Sequence, residues 1–106
     1  MRVKLQHLDE FNRQRRDNAH YYSERLQKSG LIPPYEDGKG VHVYHQYTVL
    51  AEERERLQKA LADRQIASAI YYPIPLHRQE VFAATCAGTC LPVSERLAEQ
   101  VLSLPM

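Results

Sequence analysis

Cysteine is scarce in this chain of 106 residues, and charge of one sign does not dominate it. Two cysteines, Cys86 and Cys90, are too few for a disulfide framework, so a cytoplasmic chain with reduced thiols is expected. With 14 Lys and Arg against 13 Asp and Glu, the net charge is +1. That balance gives no electrostatic argument for nucleic acid or an anionic membrane as partner. No apolar run approaches the roughly 20 residues of a membrane span. The opening "MRVKLQHLDEFNRQRRDNAHYY" lacks the apolar stretch and small-residue cleavage site of a secretory signal. The length suits a single domain, residues 1–106, with one core.

Apolar periodicity organises what is there. Leu5, Leu8, Phe11, Arg15, Ala19, Tyr22 and Leu26 recur at spacings of three and four, which predicts one long helix from about Val3 to Lys28, closed by Gly30. Its other face carries Asp9, Arg13, Arg16, Asp17 and Glu24. Arg13, Arg15 and Arg16, diluted by acidic neighbours, read as a solvated face or one that meets another part of a larger protein. "IPPYEDGKG" is a breaker-rich connection, with a further strand conceivable within Leu31 to Tyr35. "VHVYHQYTVL", Val41 to Leu50, is β-branched and aromatic and reads as a strand with His42, Tyr44, Gln46 and Thr48 on one face. Glu52 to Gln65 returns to helical spacing. Ile66 to Tyr72 reads as a second strand, ended by Pro73, and "RQEVFAAT" as a short helix. Ser94 is the expected cap of a last helix that turns Leu97, Val101 and Leu102 inward. This order implies a small α+β domain with helices packed on a sheet of few strands.

The ends read as cut. Val3, Leu5, Leu8 and Phe11 already lie on a helical pattern with no cap before them, and "VLSLPM" stops just after an apolar segment and a proline. The expectation is a piece of a longer chain.

Most candidate chemistry yields to a simpler reading. His42 and His45 point to opposite faces of a strand and cannot chelate one ion, so no metal site is expected. "CAGTC" has neither the C-x-x-C spacing of a redox dithiol nor a second ligand pair for zinc. "EDGKG" lacks the spacing of a phosphate loop. The stretch "YYPIPLHRQ" is harder to set aside. Tyr71 and Tyr72 offer flat amphipathic surfaces, and Pro73 and Pro75 stiffen the segment that leads to His77. His77 can then donate or accept a hydrogen bond near neutral pH.

Four blocks, "KLQHLDEFNRQRRDNAHYYSERL", "HVYHQYTVL", "IYYPIPLHRQ" and "LPVSERLAEQVLSLPM", resemble in order and spacing the C-terminal part of DegT/DnrJ/StrS-type sugar aminotransferases. The resemblance covers essentially the whole chain. It implies the small C-terminal domain of the aspartate-aminotransferase type, with helices on a small, mainly antiparallel sheet. It also implies a pyridoxal phosphate enzyme that moves an amino group, usually from glutamate, onto a nucleotide-linked keto sugar as a homodimer. On this reading the large cofactor-binding domain and the last helix lie outside the chain. Lys4, Lys28, Lys39 and Lys59 match no cofactor-lysine segment, so the chain alone is expected to be inactive and to bind no pyridoxal phosphate. The resemblance makes Tyr72 and His77 the leading contacts for the sugar or its nucleotide, with Tyr44 and Arg78 behind them; Arg78 suits a diphosphate. Self-association through a first helix stripped of its partner is a further expectation. The alternative is a stand-alone binding module that keeps the fold without the chemistry.

Overall fold

The computed structural model describes residues 2–106. In chain order it contains α1 (Arg2–Leu5), α2 (Leu8–Leu26), β1 (Tyr47–Leu50), α3 (Arg54–Asp63), α4 (Pro92–Gln100) and β2 (Val101–Leu104). Between α3 and α4 lie two single 3-10 turns, Leu76–Arg78 and Glu80–Phe82. β1 and β2 pair antiparallel in the register Tyr47↔Leu104, Thr48↔Ser103, Val49↔Leu102, Leu50↔Val101. One isolated bridge flanks the pair on each side, Ile32↔Leu50 and Ala69↔Ser103.

The register decides where the core sits. Tyr47, Val49 and Leu102 share one face of the pair and are fully buried with Ala19 of α2. A small residue at position 19 lets the helix backbone come close to the sheet. Tyr22, Leu26, Leu57 and Leu61 close the cluster from α2 and α3. Full burial of each of the larger side chains contributes about 1.5–3 kcal/mol. Two hydroxyl contacts fasten α2 to the sheet: Ser23 Oγ lies 2.8 Å from Tyr47 Oη, and Tyr22 Oη donates to the Pro105 carbonyl at 3.0 Å. On the other face, Thr48 Oγ1 and Ser103 Oγ are 2.8 Å apart. The antiparallel α+β expectation is met.

Several boundaries differ from the sequence reading, each for a physical reason. The first helix is interrupted at Gln6–His7, because α1 buries nothing that would hold it in line with α2. The strand expected from Val41 begins only at Tyr47. Tyr44 takes a φ of 47°, outside the extended region, and the chain before it lies against α2 rather than beside a strand. Ile66–Tyr72 and Leu31–Tyr35 contribute single bridges instead of strands. Within "RQEVFAAT" the helix is no more than the 3-10 turn Glu80–Phe82, followed by further turns. Leu91, not Ser94, is the N-cap of α4, with Pro92 at the first helical position where its missing N–H costs nothing. Val101 and Leu102 leave the helix to form β2, since pairing with β1 buries them better than another helical turn would.

Candidate functional site

Beyond the Ala69 bridge the chain turns away from the sheet through Ile70 and the two tyrosines. Pro75 then holds extended backbone (φ −60°, ψ 147°) and starts the turn Leu76–Arg78, in which the Arg78 N–H donates to the Pro75 carbonyl at 2.9 Å. This single turn swings His77 inward until the residue is 8% exposed, while Tyr72 stays 73% exposed. Across from it begins α4. Tyr71, Tyr72, Ile74, Pro75, His77 and Leu97 are among the residues that line a hollow of about 450 Å³ between the turn and α4. Its size and mostly apolar lining suit a small-molecule site.

Glu95, in the first turn of α4, ties the two walls together. Its Oε1 lies 2.8 Å from His77 Nε2 and accepts from Arg78 Nη2 at 3.1 Å and from the Leu91 N–H at 3.2 Å. The backbone answers in the other direction, with the Glu95 N–H donating to the Leu91 carbonyl at 2.9 Å. The His77 bond above all, then the Leu91 N–H and Arg78, pull the Glu95 carboxyl down to about 2. Glu95 did not stand out as a site residue in the sequence. The available signal was Pro92 fixing the helix start, with a glutamate one turn later that can reach back to the N-cap N–H.

Of the four site residues named from the sequence, Tyr72 and His77 line the same hollow. Arg78 lies beside it, half-exposed, with its guanidinium already engaged by Glu95. Tyr44 does not join them. It is 2% exposed, its ring tilted against that of His42 with centroids 4.2 Å apart and edge-on to His20. Burial, followed by the neighbouring Glu36 carboxylate, pushes the Tyr44 hydroxyl up to about 12. The polar strand face expected to present Tyr44 does not form, because its positive φ turns the ring into the core.

Arg15 and Arg16 are likewise not simply a solvated face. Arg15 Nε donates to the Val43 carbonyl at 3.1 Å, and Arg16 Nη1 donates to the His42 carbonyl at 2.8 Å and to Glu36 at 3.2 Å. They pin the loop before β1 onto α2. His42 Nδ1 accepts the Tyr44 N–H at 2.9 Å, which makes it a loop-shaping group. Among the described residues no group of three His, Cys, Asp or Glu is placed to hold a metal ion, and no helix is long and apolar enough to cross a membrane.

Comparison with known proteins gives this geometry a context. The chain is 44% identical over its whole length to a UDP-N-acetyl-3-dehydro-alpha-D-glucosamine 3-aminotransferase of Acidithiobacillus ferrooxidans, and spans 28% of that protein. It is 37% identical over 98% of its length to a dTDP-3-amino-3,6-dideoxy-alpha-D-galactopyranose transaminase of Aneurinibacillus thermoaerophilus, again spanning 28% of the relative. The crystal structure of S. venezuelae DesV in complex with a ketimine intermediate superposes on 99% of the chain with a TM-score of 0.94 at 34% identity, using 29% of the DesV chain. The fold therefore matches part of a sugar aminotransferase rather than a whole one. The DegT/DnrJ/EryC1/StrS aminotransferase family model matches residues 1–106, and this chain belongs to that family.

Proposed function

We propose that this chain is the C-terminal small domain of a pyridoxal phosphate-dependent aminotransferase that passes an amino group, from glutamate, to a nucleotide-linked keto sugar. In that role it supplies one wall of the cleft. The observation that carries the reading is the meeting of Tyr72 and His77 on one proline-stiffened hollow, in a chain similar from end to end to nucleotide-sugar aminotransferases. The packing supports a domain built to lean on more protein. Its radius of gyration is 16.5 Å, against about 13 Å for a compact domain of this length. Val3, Leu5, Leu8 and Phe11 leave an apolar face on α1 and α2 for the remainder of the enzyme to cover. The isolated chain would self-associate through that face. The whole enzyme, on this reading, is a cytoplasmic homodimer.

The residues present do not fit a Schiff-base site. Lys4, Lys28, Lys39 and Lys59 are all exposed, and Lys59 is paired with Asp63 at 3.0 Å. A cofactor lysine needs a desolvated pocket to be a free amine at neutral pH. Pyridoxal phosphate supplies the electron sink for transamination, and its attachment belongs to the rest of the enzyme. What this chain contributes is recognition. The exposed Tyr72 ring offers a stacking face and a hydroxyl, His77 offers a hydrogen bond from a nearly dry position, and Pro73 and Pro75 keep both from wandering. Arg78 reaches a diphosphate only by sharing its guanidinium with Glu95. Tyr44 serves from behind, holding the core side of the domain.

The test is substrate affinity and turnover in the full enzyme carrying His77→Ala or Tyr72→Phe. Loss of one hydrogen bond to substrate is expected to weaken kcat/KM about tenfold. Unchanged values for both would remove the hollow from the substrate site. Incubating the 106-residue chain with pyridoxal phosphate checks the other half of the reading. A Schiff-base absorbance abolished by changing one of its lysines would show that the chain holds its own cofactor.

A further inference from the structure

Glu95 and His77 come from segments 18 residues apart, yet their side chains meet at 2.8 Å with His77 almost wholly enclosed. An ionised carboxylate can only accept hydrogen bonds. The nitrogen facing Glu95 must therefore carry the proton, and in the neutral imidazole the other nitrogen is then bare. Glu95 is itself held from three sides, by Arg78, by the Leu91 N–H and through its own backbone bond to the Leu91 carbonyl. Its carboxylate cannot swing away from His77 without also giving up the Arg78 and Leu91 N–H bonds. No described residue forms a hydrogen bond with His77 Nδ1, and His77 is among the residues that line the hollow.

We infer that Glu95 is a positioning residue for His77. Its carboxylate fixes the imidazole in the Nε2–H tautomer, so that Nδ1 is the atom left for the ligand, as an acceptor for a hydroxyl or amide N–H of the sugar. This rests on the reading of the hollow as a nucleotide-sugar site and adds the direction of the hydrogen bond: the ligand group that meets His77 must be a donor. A sugar carrying a hydroxyl or an acylamino group at that position fits, and one carrying only a carbonyl or a bare carbon there does not. The depressed Glu95 carboxyl agrees with this, since it stays ionised throughout the neutral range.

Two measurements decide it. In the ¹⁵N-labelled chain, ring-nitrogen NMR is expected to show His77 protonated at Nε2, with a protected, downfield N–H signal that disappears in Glu95→Ala. Protonation at Nδ1 in the unaltered chain, or a signal indifferent to the change, overturns the inference. Where Glu95→Ala fails to fold, Glu95→Gln keeps the side-chain shape and is expected to weaken the protection without abolishing it. The second measurement is a double-mutant cycle in the full enzyme, probed with UDP-N-acetylglucosamine and with dTDP-glucose. His77→Ala and Glu95→Gln are each expected to weaken binding about tenfold or less, the scale of one hydrogen bond. The double variant is expected to be no weaker than His77→Ala alone, because Glu95 acts through the ring. Additive losses overturn the positioning role and leave His77 as a ligand contact. Wild-type affinity in His77→Ala, or no binding of either probe to the unaltered enzyme, overturns the nucleotide-sugar reading itself, while the NMR arm still decides the tautomer.

Discussion

Glu36 and Glu95 are built alike and end differently. Each carboxylate meets an arginine and a histidine, and each is held below its ordinary value of 4.5. For Glu36 the Tyr44 hydroxyl is the largest cause, with Arg16, His20 and His42 adding to it. For Glu95 it is His77, helped by a backbone N–H and Arg78. The difference lies in what the ring between them does next. Tyr44 points into the core, so its cluster locks a loop onto α2. His77 lines a hollow, so its cluster, on the function proposed above, readies a side chain for something from outside. The same local chemistry becomes scaffold or site according to which side of the ring faces protein.

The comparison can be broken at its most buried member first. Tyr44→Ala removes a large core side chain and is expected to destabilise the domain by about 3–5 kcal/mol, read as a lower urea midpoint. His77→Ala should shift that midpoint far less, while weakening ligand binding. An equal stability loss in both variants would mean that His77 too is mainly scaffold.

Acid separates the two carboxylates next. A carboxyl depressed in the folded state stabilises above its unfolded value and loses that contribution as pH falls through the folded one. The Glu95 contribution is therefore expected to vanish between pH 4.5 and about 2. Glu95→Gln should flatten the acid limb of the stability curve in that window, measured by chemical denaturation at each pH. Glu36→Gln should flatten it less, because the Glu36 carboxyl is held down more weakly.

At the alkaline end the sign reverses. Tyr44 is raised from 10 to about 12, so its contribution is complete below pH 10 and is lost as pH climbs through 12. Ultraviolet difference titration should show one phenolate appearing late, and Tyr44→Phe should remove it. The smallest effect is expected from Pro75→Ala, which frees the backbone before His77 and should weaken ligand binding about two- to fivefold, with the His77–Glu95 bond still present by NMR.

Much of this was legible in the residues. The long amphipathic helix, the α3 periodicity, the breaker-rich loops and the order of the four blocks all follow from local spacing, which a single segment carries by itself. "YYPIPLHRQ" announced a stiff, aromatic edge because proline restricts the backbone wherever it stands. Val101 and Leu102 read as the end of the last helix, since so short a segment has no readable period and only its pairing with residues some fifty positions earlier makes it a strand. Tyr44 departs from its expected strand face because alternation assumes an extended backbone, and one positive φ breaks it. Along the chain Glu95 is an ordinary helix-start residue, because its partners at positions 77, 78 and 91 come together only when the turn after Pro75 docks on α4.

The sequence alone therefore determined the residue types available for recognition and the family to which they belong, since both are properties of order along the chain. Only the tertiary structure decided which of those residues share a surface and which nitrogen of His77 is spoken for. Those depend on contacts between segments distant in sequence, where a difference of an ångström separates a hydrogen bond from none.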